Sequence, residues 1–216
     1  MDIYNLNKYE LQEAVENFDN WNHDINRVLE SFDLNGNSIF FDIGTNVGEE
    51  LEVLLPTGAE VHSFEPHPVL AEFIRKRFEN YNNLVFNECA AWIKNENKTF
   101  FYKRNPSSDA FNDAGSTLIK SKTNISGKWS SNVRCIDISE YVFNLKKQID
   151  VMKIDVEGAE YHVIKHLIDT GAIEKISNLL FEDHQRKIPR GFIEFYNNKK
   201  YVLDRLDSLS TKFGLF

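Results

Sequence analysis

The stretch that decides the fold runs from Phe40 to Glu52: Phe40-Phe41-Asp42-Ile43-Gly44-Thr45-Asn46-Val47-Gly48-Glu49-Glu50-Leu51-Glu52. An apolar run carries an aspartate near its end, two glycines frame a short loop, and residues able to start a helix follow. Strand, tight turn and helix in immediate succession is the layout of a nucleotide-binding loop, in which backbone N–H groups face the ligand.

Outward from this loop the pattern repeats. Ser38 to Ile43 reads as a buried strand, followed by a short helix from Glu49 that stops before Pro56-Thr57-Gly58. Glu60 to Phe64 is a second apolar strand, closed by Glu65-Pro66-His67-Pro68, and Pro68 is suited to the first turn of the next helix. That helix carries Leu70, Phe73, Ile74 and Phe78, and Leu84 to Ala91 is a third strand. The order βαβαβ opens a doubly wound, mainly parallel sheet with helices on both faces.

The rhythm changes at Asn95. Residues 95–134 are rich in Ser, Thr, Asn and Lys, with one strand-like piece from Thr99 to Lys103 and a turn at Asp113-Ala114-Gly115. A segment this long is functional or disordered more often than a plain connection, so it is expected to be an insert on the substrate side. Asp137 to Leu145 then reads as a short helix and Ile149 to Ile154 as a strand. A helix follows with Ala159, Val163, Ile164, Leu167 and Ile168 on one face, ended by Gly171. Ile176 to Phe181 is the fifth strand, leading into Glu182-Asp183-His184. Leu203, Leu206, Leu209 and Phe213 give the tail helical spacing, and residues 7–32, within an N-terminal segment of residues 1–37, read as one helix or as two broken at Asn17 to Asp24. The expectation is one α/β domain over residues 1–216.

Charge and composition exclude several partners. The 25 basic residues are outnumbered by 33 acidic ones, for a net charge of −8, and no basic stripe is present to neutralise phosphates. Nucleic acid is therefore not expected. No apolar run approaches the roughly 20 residues of a membrane span, and the N-terminus lacks the basic start and apolar centre of a signal peptide. Cys89 and Cys135 are too few for a disulfide framework. The reading is a soluble, cytoplasmic protein.

The loop narrows the ligand. Glu49-Glu50 stands where a triphosphate-binding loop has its Lys-Ser/Thr pair. Asn46 stands where a dinucleotide loop has its second glycine, which removes the close approach to a pyrophosphate and supplies an amide instead. Asp42 sits where it can accept from an ammonium group. Glu65, at the end of the neighbouring strand, can take both hydroxyls of a ribose and repels a 2′-phosphate. A cationic ribonucleoside without pyrophosphate meets these conditions, and S-adenosylmethionine is one. Capping of a helix and a turn is the plain structural alternative for the two carboxylates.

The sequence resembles the FkbM-type family of S-adenosylmethionine-dependent methyltransferases. The likeness rests on FDIGTNVG at 41–48, FEPHP at 64–68, AGSTL at 114–118, MKIDVEGAE at 152–160 and LLFEDH at 179–184. It implies a class I methyltransferase fold, Rossmann-like, and O-methylation of a sugar, a glycan or a small natural product. It also implies roles. Asp42, Gly44, Thr45, Asn46 and Gly48 would hold the methionine end, Glu65 and Pro66 the ribose, and Cys89 and Ala90 the adenine. Ser116 and Thr117 would close over the cofactor, with Asp155 at the reacting centre.

Asp155, Glu157 and His184 are the candidates for the base that a hydroxyl acceptor needs. Asp155 and Glu182 could alternatively hold a divalent cation, Mg or Mn, with Asp183 or His184 helping. Class I enzymes usually add a sixth strand and an antiparallel seventh. Here Phe216 falls about where a sixth should begin, so the sheet is expected to lack its final strands, with its edge exposed or covered in a homodimer.

Several other features weigh on the reading. Tyr161 and Lys165 match the Tyr-x-x-x-Lys spacing of a nicotinamide-dependent sugar oxidoreductase, the first alternative function. A non-catalytic S-adenosylmethionine-binding domain is the second. His62 is read as structural, His162 and His166 as surface residues, and Trp129 and Phe111 either as stacking partners for a sugar or as packing residues.

Overall fold

The computed structural model describes Leu29, residues 32–206, residue 209 and residues 211–215. Most of the helical segment expected at the N-terminus lies outside the described residues; Leu29 itself is helical and buried.

The main sheet is built from β1 (Ile39–Ile43), β2 (Glu60–Phe64), β3 (Leu84–Asn87), β7 (Ile149–Ile154), β8 (Ile176–Phe181) and β9 (Lys212–Leu215), in the spatial order β3-β2-β1-β7-β8-β9. Every neighbouring pair is parallel. The chain winds outward from β1 in one direction, then returns and winds outward in the other. The switch between β1 and β7 opens a crevice at the strands' carboxyl ends.

Side-chain alternation divides the core between the two faces. Phe40 of β1, Val61 of β2, Val151 of β7 and Leu180 of β8 pack under α1 (Glu49–Leu54) and α2 (Pro68–Arg77). Ile39, Phe41, Ile43, Met152 and Ile154 face the other way, against α3 (Ile138–Leu145), α4 (Glu160–Thr170) and α5 (Ile193–Leu206). Strands covered on both sides read as nearly unbroken apolar runs, as β1 does. Rossmann-like α/β architecture thus follows from the βα rhythm, as expected.

Three features differ from the sequence reading. The third strand is broken: β3 ends at Asn87, and Ala90–Trp92 form β4 in a second, three-stranded sheet. Much of the expected insert belongs to that sheet, because β5 (Glu96–Tyr102) pairs antiparallel with β6 (Trp129–Asp137). Its central part returns to β5, where Thr117 and Phe101 exchange backbone hydrogen bonds of 2.8 and 3.0 Å. That return carries residues 113–118 beside the crevice. The final strands also need correction. Lys212–Leu215 pairs in parallel with β8, so the edge on which a homodimer was expected is covered within the chain, and Phe213 belongs to a strand rather than a helix. No antiparallel seventh strand occurs in this sheet among the described residues. Among those residues, no helix is long and apolar enough to cross a membrane.

Candidate active site

A cleft of about 760 Å³, its open part included, lies at the carboxyl ends of β1, β2 and β7. Gly44, Asn46, Glu65, Pro66, Ala90, Ser116, Asp155 and Glu157 line it, so eight of the residues singled out in the sequence come together from five separate segments.

Gly44 lies against the end of β7. Its φ is +89°, and a Cβ there would lie 1.8 Å from the carbonyl oxygen of Asp155. The glycine loop and the end of β7 approach each other to a distance only glycine allows. Gly44→Ala should therefore force the two apart. A loss of about 1–3 kcal/mol from strain is expected, together with loss of nucleotide binding. Unchanged melting temperature and unchanged binding would remove the role given to this contact.

Glu65 is 5% exposed, and each carboxylate oxygen accepts one backbone N–H: Oε2 from Asn46 at 2.8 Å and Oε1 from His67 at 2.7 Å. Burial pushes its pKa up to about 8, against the pull of those two bonds. A carboxylate offers about four lone-pair sites, so two remain for a ligand.

Asp42 is not a wall of the cleft. It is wholly buried, and alternation turns it, like Phe40, toward the α1 face. In the β1–β7 register it stands directly beside Lys153. The Lys153 ammonium lies 3.4 Å from Asp42 and 4.0 Å from Asp155, and makes its shortest contact, 2.7 Å, with Glu50 of α1. The ammonium expected next to Asp42 is therefore the protein's own. Burial pulls the Lys153 pKa down, but Glu50, Asp42 and Asp155 together raise it well above the usual lysine range. Burial raises Asp42 to about 6 even beside that cation.

Four more residues assigned to the cofactor sit behind the wall. The Thr45 hydroxyl is buried 2.5 Å from Ser63 Oγ. Gly48 caps α1 in a left-handed conformation. Cys89 is buried at the break between β3 and β4, and Thr117 turns its hydroxyl to accept the Ile119 N–H at 3.0 Å. Only backbone folding decides these directions, and residue type carries no sign of them.

Beyond Asp155 the chain turns sharply through Glu157, at φ 55°, and Gly158, at φ 105°. Glu160, wholly buried, accepts from the N–H groups of Val156 at 3.2 Å and Gly158 at 3.0 Å, and from His184 Nδ1 at 2.9 Å. His184 Nε2 lies 3.1 Å from Glu157, 3.2 Å from Glu182 and 3.9 Å from Asp155. Burial alone would lower this histidine's pKa, but the Glu157 and Glu160 carboxylates beside it raise it to about 10. The two carboxylates thus favour the protonated ring, which makes His184 a poorer base than the sequence suggests. Glu157 is weakly basic too. Although burial opposes it, His184 and the fully buried Lys122 ion pair hold its carboxyl far below the usual range, and Lys187 adds a third cation at 3.1 Å. Asp155 differs: burial raises it to about 7 despite Lys153.

Ligand atoms of Asp155, Glu157 and His184 lie within 4.8 Å of one another, the one grouping of this kind among the described residues. Glu182 faces His184 but is not part of that set, so the expected pairing of Asp155 with Glu182 becomes a different trio. Asp183 is turned away, accepting from Gln185 N–H and paired with Lys199.

The remaining candidates are elsewhere. Tyr161 is wholly buried against Phe181 and Phe195, and Lys165 is paired with Asp169, so the oxidoreductase-like pair does not face the cleft. His62 bonds Tyr141 and Glu60, both at 2.9 Å, as a structural residue. His162 is buried against Trp92 and Phe192 rather than at the surface, and His166 bonds Asp137 at 2.8 Å. Trp129 and Phe111 pack against the two cores. Lys153, Lys122, Glu160 and His67 escaped the sequence reading. Lys153 and Glu160 stand within MKIDVEGAE and His67 within FEPHP, and a lysine inside the apolar run Val151-Met152-Lys153-Ile154 was a further visible signal.

A doubly wound sheet with a glycine loop at its first strand, an acidic residue ending its second and a crevice at the switch point defines a nucleotide-cofactor enzyme of the Rossmann-like class. The model of the methyltransferase FkbM domain matches residues 42–210, and the chain belongs to that family. It is a methyltransferase. Comparison with curated proteins and with solved structures gave no match.

Proposed function

We propose that the chain transfers a methyl group from S-adenosylmethionine to a hydroxyl of a sugar, a glycan or a small natural product. Glu65 carries the cofactor assignment. It is buried in the cleft wall, anchored on two backbone N–H groups and left with the acceptor sites a ribose diol requires. The rest of the cleft suits the same molecule. Gly44, Asn46, Ala90 and Asp155 line the cleft; in this reading Asn46 and the Gly44 backbone take the methionine end, Ala90 the base, and Asp155 gives negative charge to a sulfonium.

In-line transfer needs the acceptor's lone pair aligned with the methyl, and such positioning supplies roughly 7–11 kcal/mol. The acceptor's proton goes to Asp155, whose pKa near 7 lets it be charged at neutral pH and still hold a proton. A second reading places a divalent cation on Asp155, Glu157 and His184. The Nδ1 contact to Glu160 favours it, because a histidine ligand commonly donates its other nitrogen to a carboxylate. A cation and a proton would then compete for Nε2.

Calorimetric titration with S-adenosylhomocysteine, with NAD as the paired control, tests the cofactor. Binding of the first alone, lost in Glu65→Ala, is the expected result; binding of NAD alone would overturn it. The same titration has a pH signature. Accepting two hydroxyls requires the Glu65 carboxylate, whose pKa of about 8 leaves it largely protonated at pH 6. Affinity should rise up to about tenfold per unit from pH 6 to 8, with release of one proton, and level off above. Glu65→Gln should flatten that profile. A wild-type profile that is already flat contradicts the assignment.

A further inference from the structure

His67 ends the loop that begins at Glu65 and caps α2. Its Nδ1 accepts the backbone N–H of Val69 at 3.2 Å, and a nitrogen that accepts carries no hydrogen. Burial pushes the ring's pKa down to about 4, so it is neutral at physiological pH. In a neutral imidazole the second nitrogen then bears the hydrogen. Nε2 is thus a fixed donor, and it is buried without a hydrogen-bond partner. The residue is 1% exposed and belongs to the cleft wall together with Glu65, Leu70 and Phe100, while the Tyr102 ring meets it edge-on at 4.8 Å.

A buried donor left without an acceptor is unfavourable, and a ligand in this cleft can supply one. If Glu65 holds the ribose, the base extends along the apolar wall of Leu70, Ala90, Ala91 and Phe100. The edges of adenine present three ring-nitrogen acceptors, N1, N3 and N7, and one amino donor. A donor of fixed tautomer pairs with the first kind and rejects the second. We propose that His67 is a specificity-determining residue that donates from Nε2 to a ring nitrogen of the cofactor's adenine. The proposal rests on the S-adenosylmethionine reading given above.

The discriminating variant is His67→Asn. Asparagine is a preferred helix N-cap, so its side-chain oxygen can still accept from Val69 N–H while the distant donor is gone. Binding of S-adenosylhomocysteine and of its 1-deaza, 3-deaza and 7-deaza analogues is measured by calorimetry for wild type and variant, beside their melting temperatures. The variant should melt with the wild type and bind the parent about tenfold more weakly. One analogue should bind the wild type about tenfold more weakly and lose nothing further in the variant. Equal binding of the parent by wild type and variant overturns the assignment, as does equal binding of all four compounds by the wild type. If the wild type binds S-adenosylhomocysteine and Glu65→Ala abolishes it while His67→Asn does not, the His67 assignment alone has failed. If the wild type binds none of the compounds, the cofactor reading has failed and the proposal falls with it.

Discussion

Lys153→Met should lower folding stability by about 3–5 kcal/mol, because it leaves buried carboxylates without their cation. The substitution keeps most of the aliphatic stem, so little packing is lost and the effect isolates the charge. Asp42, Glu50 and Asp155 share this one ammonium, which is 2% exposed. Against a total stability of about 5–15 kcal/mol for a typical domain the loss is large. For a chain of this size it corresponds to a fall in melting temperature on the order of 10 °C.

The sign of the pH dependence follows from the same groups. Burial raises Asp42 to about 6 and Asp155 to about 7, and Lys153 holds both lower than burial alone would. A carboxyl with a raised folded-state pKa contributes stability that is complete below its unfolded value near 4 and is lost as pH rises through the folded value. Removing the cation raises both further, so the variant's deficit should be smaller at pH 5.5 than at pH 8. Adding Glu50→Gln should recover part of the loss. Thermal unfolding at the two pH values checks this. A variant that melts within a degree or two of the wild type at pH 8 would mean these carboxylates do not depend on Lys153.

Asp155→Asn should reduce methyl transfer by about 10²–10⁴-fold, the usual contribution of a positioned base. Affinity for S-adenosylhomocysteine should change only a few-fold, since the ribose and base contacts lie on other segments. Asp155 and Glu157 line the cleft and His184 lies 3.1 Å from Glu157, and their surroundings push the three apart: His184 is shifted toward the protonated form, Glu157 is held ionised by three cations, and Asp155 is raised to about 7. Wild-type turnover on the first hydroxylated sugar found to accept a methyl should rise with pH through about 7, and the variant should lose that rise. Mn²⁺ titration of both forms separates the two readings of the cluster. Mn²⁺ binding by the wild type that disappears in the variant assigns Asp155 to a cation. A variant as active as the wild type would exclude Asp155 as the base.

The local sequence was a sound guide wherever a short-range rule applies. Apolar runs closed by Gly, Pro and acidic residues specified strands, and the βα rhythm specified a parallel sheet. Gly44, Glu65 and Asp155 could be placed at strand ends because every parallel strand ends on the same side of the sheet. The tail was harder to read, because its apolar positions are compatible with helix spacing while Phe213 pairs with Leu179 of β8, a contact that sequence separation conceals.

Which way a side chain points, and which cation it meets, was decided only by tertiary structure. Asp42 faces inward because alternation along β1 puts it on the face of Phe40, and it meets Lys153 because the β1–β7 register sets those two residues side by side. Lys122 reaches Glu157 only because residues 113–118 return to β5 and bring the following turn over the end of β7. Spacing along the chain specifies elements and the order of the sheet. Charge pairing in the interior depends on register and on loop return, which are properties of the assembled fold.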